Sequence, residues 1–287
     1  PPPVPAESAW IDDGQPLLAT APVNEGEWWT ILGDPVLNDL TRQVRDNNWT
    51  LKELGARVLA SRAQLDVTKG KFFPQRQAID GAYSRQVFNF NQGPLPAELL
   101  KLLGYDKWFS TGLAAFAVGW EMDFWGKYRR AIESQAAEFD ASLAARDQGL
   151  VLLQAEVATA YVDYKVAQAL GNLSGRIARF EAELVKLSKI KFDEGATSEV
   201  DTRTSETAYQ TTLAKVRDYE LRTRLAMNRL SVLTGRFPTD LEKELGSEGL
   251  PALPGKLVTG IPADLIRRRP DLREAERKVA AQSARIG

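Results

Sequence analysis

The side chains available for chemistry in this 287-residue chain are carboxylates, lysines, arginines and tyrosines, because it contains no histidine and no cysteine. Without histidine the chain lacks the commonest general base and metal ligand, and a Ser-His triad is excluded. Without cysteine it has no disulfide, thiolate nucleophile or thiolate metal site. No motif of the remaining residue types suggests an active site. The sequence therefore predicts a protein that is not an enzyme and that uses no metal or cofactor.

Charge and hydropathy exclude further classes of function. The 37 basic and 38 acidic residues give a net charge of −1, so the chain has no basic footprint for nucleic acid. No run of 18 or more apolar residues is present, so no transmembrane helix is expected. A membrane role would then require β-strands, each of about 9–11 residues.

The segment FDEGATSEVD, residues 192–201, carries a turn signature. Gly195 suits the left-handed end of one helix, and Ser198 with Asp201 three residues later matches a capping box at the start of the next. The spacing predicts a sharp turn between two helices at 193–198. Helix capping alone is the simplest role for Ser198 and Asp201.

A long helix is predicted before this turn, over 126–192, because the stretch has no proline and its glycines are isolated. At 1.5 Å per residue it would measure roughly 100 Å. With a returning helix over about 199–235, it makes a long α-helical hairpin over 126–236. Its last part has the alternating three-and-four spacing of a coiled-coil seam, in Leu170, Leu173, Ile177, Phe180, Leu184 and Leu187.

Two stretches, 75–90 and 108–124, lose the helical period and are rich in aromatic and β-branched residues, so they predict strands of a β-hairpin over 75–124. Aromatic side chains of the second stretch are candidates for a membrane-interface girdle: Trp108, Phe116, Trp120 and Phe124. Packing between strands and helix is the alternative for these aromatics, and a small soluble sheet is the alternative for the hairpin.

The remaining segments are predicted as follows. Residues 1–34, rich in proline and glycine, form an extended arm. Residues 35–73 form two helices, the first starting at Asp34-Pro35 and the second capped by Thr50 with Glu53 three residues later. Residues 237–262 form a connector.

An internal repeat relates the second of these helices to the end of the chain. TLKELGARVLASRAQL, from Thr50, aligns without gaps on DLREAERKVAAQSARI, from Asp271. Five positions are identical at the same offset, and the alternative is chance similarity of two amphipathic helices. The repeat predicts that 263–287 begins a second copy and that the chain is part of a longer protein.

Five stretches together resemble the TolC family of outer membrane efflux proteins, and within it the OprM/NodT-type lipoproteins. They are WWTILGDPVLNDLTRQVRDNNWTL (28–51), VGWEMDFWGKYRRAIES (118–134), LLQAEVATAYVDY (152–164), FDEGATSEVD (192–201) and GIPADLIRRRPDLREAERKVAAQSARIG (260–287). The resemblance covers essentially the whole chain and implies an α+β, mainly α fold.

The resemblance further implies a homotrimer with a long periplasmic α-helical barrel and an outer-membrane β-barrel of about twelve strands. It implies a passive exit duct for drugs, metals or other small molecules in the outer membrane of a Gram-negative bacterium. The partners would be a periplasmic adaptor and an inner-membrane pump of the RND type, together with outer membrane lipid. In the family the helix-helix turn forms the periplasmic tip, so Gly195, Ser198 and Asp201 would contact the adaptor and Asp201 would help to hold the tip closed.

Members of this type often carry a lipid on an N-terminal cysteine, and we expect this chain to begin just after that position. A type I protein-secretion duct would have the same fold. A periplasmic coiled-coil adaptor or a soluble scaffold is the alternative from another class, although the lipoyl and β-barrel segments of an adaptor are not seen.

Overall fold

A computed structural model describes residues 18–20, 25–87, 96–104, 108–238, 241–246, 249–251, 257–259, 266 and 268–286. The chain divides into two units. The first contains Pro1–Ala60 and Asp140–Lys278, and the second contains Ser61–Phe139 and Val279–Gly287.

The two helices before the β-hairpin meet at Asn48, which separates α1 (Pro35–Asn47) from α2 (Trp49–Gly70). Asp34 caps α1 as predicted, since its Oδ1 accepts from the amides of Val36 and Leu37 at 2.9 and 3.3 Å. The predicted cap of α2 is wrong: the helix starts before Thr50, and Asn48 Oδ1 accepts from the amide of Leu51 at 3.0 Å.

The β-hairpin of the second unit pairs β2 (Arg76–Val87) with β3 (Trp108–Gly119) antiparallel, in a register that sets Arg76 opposite Gly119 and Val87 opposite Trp108. The predicted second strand therefore ends five residues early, and 120–125 has no regular structure. A short helix, α3 (Ala97–Leu102), lies in the connecting loop. Residues 88–95 and 105–107 lie outside the described part.

The predicted helical hairpin is α4 (Lys127–Asp193) followed by α5 (Glu199–Leu233). α4 continues without a break through Gly149, which lies directly against the side chain of Leu54 in α2. In the first unit the two helices run antiparallel, with Arg229 paired to Glu156 at 2.7 Å near one end and Lys189 to Glu206 at 2.8 Å near the other.

The predicted coiled-coil seam at the end of α4 is not buried within the chain. The seam residues are all exposed, with Phe180 at 70% and Leu184 at 57% of their full surface. Ser174, Ala178 and Val185 are buried instead. The periodicity was predicted correctly, but the long apolar residues point away from the interior of this chain.

The core of the first unit lies where α1, α4 and α5 pack together. Four side chains of α4 at alternating spacings of three and four residues are buried in it: Leu153, Val157, Ala160 and Tyr164. α6 (Glu242–Leu245) joins this core through Leu241 and Leu245. The buried Lys165 Nζ donates to the carbonyl oxygens of Leu245 and Gly246 at 2.9 and 3.3 Å, which fixes α6 on α4.

The predicted extended arm is corrected over Glu25–Leu32, which forms a 3₁₀ helix whose Trp29 is buried in the core. Residues 1–17 and 21–24 lie outside the described part. β1 (Leu18–Thr20) pairs in parallel with β4 (Leu257–Thr259) of the predicted connector. The last helix, α7 (Pro270–Ala284), forms where the repeat was recognised. Within the described residues, every helix is too short or too polar to cross a bilayer.

Candidate functional site

The turn between α4 and α5 is built from two successive local motifs. Gly195 has φ +74° and donates its amide to Phe192 O at 2.9 Å, while the amide of Ala196 reaches back to Lys191 O at 2.7 Å. This pair of hydrogen bonds is a Schellman motif, in which glycine takes the left-handed position that ends the helix. The prediction for Gly195 as a left-handed helix end is confirmed.

The start of α5 is closed by the predicted capping box. Ser198 Oγ accepts from the amide of Asp201 at 3.2 Å, and Asp201 Oδ2 accepts from the amide of Ser198 at 3.2 Å. The same carboxylate oxygen also accepts from the hydroxyls of Ser198 and Thr197, at 2.7 and 2.9 Å. These hydrogen bonds hold the pKa of Asp201 below its usual range, and the bond from the Ser198 hydroxyl has the largest effect. The Asp201 carboxylate is therefore held in its ionised form, with Oδ2 engaged within its own turn.

A hydrogen bond and an ion pair join α4 and α5 next to the turn and stabilise the hairpin there. Ser188 and Thr202 bring their hydroxyl oxygens to 3.2 Å, and Lys189 pairs with Glu206. The pKa of Glu206 is lowered, mainly by the hydrogen bond from Lys189 and to a smaller extent by the positive charges of Lys189 and Arg203. The tip is thus a preorganised, exposed end, and nothing in it resembles a catalytic arrangement.

The four candidate aromatics do not form one cluster. Trp108 lies at one end of β3 with the guanidinium of Arg85 5.3 Å from its ring, and Phe116 lies farther along the strand opposite Ile79. Trp120 and Phe124 follow the other end of the strand, and Trp120 Nε1 donates to Phe72 O at 3.2 Å. All four are more than half exposed. Trp108 and Trp120 therefore lie at opposite ends of the strand, and a role of the four at a membrane interface stays a prediction.

The two faces of the β-hairpin differ in character. One face combines Val87, Tyr83 and Ile79 with Trp108 and Phe116, all of them exposed. The opposite face carries mostly small and polar residues together with the exposed Phe109 and Leu113; among the small and polar ones are Ala78, Asp80, Ser84, Thr111, Ala115 and Ala117. Alternation of this kind is typical of strands with one apolar and one wet environment.

A network missed by the sequence analysis fixes the start of α4. Asp123, whose side chain is almost fully covered, accepts from the amides of Tyr128 and Arg129 at 3.1 and 3.0 Å, and Arg129 Nε adds a bond at 3.3 Å. Burial acts to raise the pKa of Asp123, but the bonds from Arg129 and Tyr128 outweigh it and lower the pKa. The sequence signal was an aspartate just before Gly126, whose φ of +85° redirects the backbone into the helix.

A carboxylate next to this cap completes the network. Glu121 accepts from the hydroxyl of Tyr128 at 2.6 Å and from Lys127 Nζ at 3.2 Å. Both hydrogen bonds lower the pKa of Glu121, and the bond from Tyr128 has the larger effect. Within the described residues no group of acidic side chains is arranged to hold a metal ion. Both carboxylates serve to anchor the strand-to-helix junction.

Comparison with known proteins decides the family. Residues 40–236 match the sequence profile of the outer membrane efflux protein family. The chain belongs to this family. Members of this family are outer membrane channels and not enzymes. Membership in the family supports an outer membrane location for this chain.

Named relatives agree with this assignment. Nodulation protein T of Rhizobium leguminosarum bv. trifolii is 28% identical over 288 residues, which cover 100% of this chain and 59% of the relative. The probable efflux pump outer membrane protein TtgC of Pseudomonas putida is 30% identical over 266 residues, covering 92% of this chain and 52% of the relative. This efflux-family chain thus spans about half the length of the relatives it matches.

Solved structures give the fold. The outer-membrane channel OprN superposes with a TM-score of 0.78 at 28% identity, covering 97% of this chain and 60% of that one. The Campylobacter jejuni CmeC outer membrane channel superposes at 0.73 with 19% identity, covering 98% of this chain and 57% of that one. The predicted α+β, mainly α, TolC-like fold is confirmed.

Proposed function

We propose that the full-length protein is the exit duct of a tripartite efflux system and lets small molecules such as drugs or metal ions pass passively across the outer membrane. The observation that carries the proposal is the exposed seam at the end of α4. A helix pair that leaves Leu173, Phe180, Leu184 and their neighbours uncovered needs further helices beside it. A wall of side-by-side helices, closed into a tube by three copies, supplies them.

The β-hairpin fits the same assembly. Its exposed apolar face is suited to lipid, and its other face, on which small and polar residues predominate, is suited to a water-filled passage. Two isolated strands are only marginally stable, so partner strands from further copies would complete the sheet. The exposed side chains of Trp108 and Trp120 lie at opposite ends of β3 and would then meet the two membrane surfaces.

The tip is proposed to meet the rest of the efflux system. An RND-type inner-membrane pump would supply the energy, and a periplasmic adaptor would dock on the preorganised turn that contains Gly195, Ser198 and Asp201. One of the relatives named above, TtgC, is described as a probable efflux pump outer membrane protein, which favours efflux over protein secretion. Because Oδ2 of Asp201 is engaged in capping, a gating role would be exerted by maintaining the conformation of the turn.

Dye accumulation in living cells tests this function. Cells that lack the protein should accumulate a fluorescent dye exported by the partner pump, and the full-length gene should restore export. Restored export by a variant that reaches the outer membrane but has its tip, residues 193–198, replaced by a glycine-serine linker would contradict the proposed docking. Unchanged accumulation in the deletion strain, with the pump and adaptor present, would contradict the exit duct.

Single-channel recording tests the gate. In the purified full-length protein, Asp201→Ala should raise the open probability because it removes the carboxylate that organises the turn. Glu199→Ala, a neighbouring exposed carboxylate outside the capping box, is the matched control. Equal conductance and equal dye leakage for both variants would remove Asp201 from the gate.

A further inference from the structure

The strands β2 and β3 contain a single acidic residue, Asp80, which lies in the inner part of β2. The register sets it opposite Ala115, and its neighbours on the same face of the same strand are Ala78 and Ala82. Its side chain is exposed, and within the described residues it has neither a hydrogen bond nor an ion pair. This carboxylate is therefore surrounded by small apolar side chains and is free to interact with solutes beside the strand.

The other charged side chains of the two strands lie at strand ends. Arg76 begins β2, opposite Gly119. Arg85 lies near the other end, with its guanidinium 5.3 Å from the ring of Trp108. A tryptophan beside a long basic side chain is typical of the membrane surface, where the charge reaches the headgroups. Asp80 differs from both arginines, because at about 3.3 Å per residue it lies about 13 Å from the Arg76 end.

Asp80 also lies on the face where a charge can meet water. Since side chains alternate along a strand, it shares the face on which small and polar residues predominate, away from Ile79, Tyr83 and Phe116. A charge that faces lipid at this depth destabilises a membrane strand, whereas a charge in the lumen changes selectivity. The position of the acid therefore agrees with a water-filled passage on this side of the β-hairpin.

We propose that Asp80 makes the passage through the β-barrel selective for cations over anions. Three copies of Asp80, one from each chain of the trimer, form a ring of carboxylates at one depth, the arrangement by which acidic side chains favour cations in channels. The favoured solutes are inorganic cations and positively charged organic molecules. This inference rests on the proposed function, because it needs an outer membrane channel built from three copies.

The size of the effect follows from the dimensions of such a barrel. Roughly twelve strands, spaced about 4.8 Å apart and tilted by about 40°, give a radius of about 12 Å, so the carboxylates lie about 9 Å from the axis. This distance is close to the Debye length of about 10 Å at 0.1 M salt. Three charges screened in this way raise the ratio of cations to anions on the axis roughly fivefold. At about 1 M salt the effect nearly vanishes.

Cysteine labelling of the full-length protein in membranes tests which face meets water. Ala82→Cys, two residues from Asp80 on the same face, should react with charged methanethiosulfonate reagents, which do not cross lipid. Tyr83→Cys, the next residue and on the opposite face, is the matched control and should react much more slowly. The unmodified protein gives the background rate. Faster reaction of Tyr83→Cys than of Ala82→Cys would overturn the inference.

The charge of Asp80 is tested in the Ala82→Cys protein with one cationic and one anionic reagent. Adding Asp80→Asn should lower the ratio of their reaction rates roughly three- to fivefold at about 0.1 M salt and change it little at about 1 M salt. Asp80→Glu, which keeps the charge, should keep the ratio. Asp66→Asn is the matched control, because Asp66 is an exposed acid of α2 that pairs with Arg62 at 3.4 Å.

The outcomes separate this inference from the proposed function. If the unmodified protein conducts ions but Asp80→Asn leaves the rate ratio unchanged at low salt, or lowers it no more than Asp66→Asn does, the inference is overturned and the exit duct stands. If the unmodified protein forms no channel in lipid, the proposed function fails, and this inference fails with it.

Discussion

Asn48 is predicted to be the most sensitive polar side chain at the base of the helical hairpin. It is only 5% exposed, its Oδ1 accepts from the amide of Leu51 at 3.0 Å, and its Nδ2 donates to Leu233 O at 2.8 Å. One side chain thus caps the start of α2 and satisfies a carbonyl at the end of α5. Asn48→Ala removes both bonds and leaves a buried donor and acceptor without partners.

The magnitude follows from these two losses. An N-cap contributes about 0.5–2 kcal/mol, and an unsatisfied buried group costs about 1–3 kcal/mol, so Asn48→Ala should lower the free energy of unfolding by roughly 2–4 kcal/mol. Thr50→Ala is the matched control, since Thr50 is exposed and α2 starts before it. Its effect should lie within about 0.5 kcal/mol, the usual range for surface changes.

Hydrogen exchange of the full-length protein in lipid nanodiscs measures the difference locally. In the Asn48→Ala variant the Leu51 amide should exchange roughly thirty- to several-hundred-fold faster, if local opening follows the lost free energy. The Thr50→Ala variant should exchange like the wild type. Equal exchange in both variants would refute the assignment of the cap to Asn48, and a larger effect of Thr50→Ala would favour the cap predicted from sequence.

The remaining predictions concern two glycines and two carboxylates. Gly235→Ala should lower the thermal melting temperature more than Gly195→Ala. Both glycines have φ above +70°, but only at Gly235 would the new Cβ meet a backbone atom, Asn47 O, at 2.6 Å. Equal shifts in melting temperature would contradict this. The folded-state pKa of Asp201 is lowered, so the stability that its ionised carboxylate contributes is present above the unfolded pKa and is lost as the pH falls through the folded pKa. Amide protection in the turn between α4 and α5 should therefore decrease on acidification in the wild type and not in Asp201→Asn. Parallel pH profiles of the two proteins would exclude this cause. Asp123→Ala should expose the first-turn amides of α4 to faster exchange without affecting amides at the tip, and an unchanged first turn would show that Arg129 and Tyr128 find other acceptors.

Local rules were sufficient for the elements whose signals lie in adjacent residues. The turn at Gly195, the capping box of Ser198 and Asp201, and the start of α1 at Asp34 all follow from short motifs, and the structure confirms them. The repeat at Asp271 likewise appears as a helix. These features depend on backbone geometry that each motif satisfies by itself.

Features that depend on distant residues were not predictable in the same way. Asn48, and not Thr50, caps α2, and its side chain also donates to the carbonyl oxygen of Leu233, a residue 185 positions later. The spacing around Phe180 predicted a coiled-coil seam, but the seam is exposed in this chain, because periodicity shows that a face is apolar and not which partner covers it. Strand β3 ends at Gly119, where pairing with Arg76 ends, although alternation in the sequence continues beyond it.

The roles of the candidate site residues depend on the assembly. The geometry explains how Asp201 organises its turn and where Trp108 and Trp120 lie along β3. Their proposed roles at the adaptor and at the membrane surface involve molecules outside this chain. Those roles therefore stay predictions, and the role of the turn can be tested by single-channel conductance and dye export.

Electron cryomicroscopy of the full-length protein in lipid nanodiscs is the most direct test of the exit duct. We expect a threefold-symmetric particle with a continuous lumen, in which the exposed seam of α4 is covered by neighbouring helices. A particle without a lumen, or a monomer in which this seam remains in solvent, would contradict the proposed exit duct.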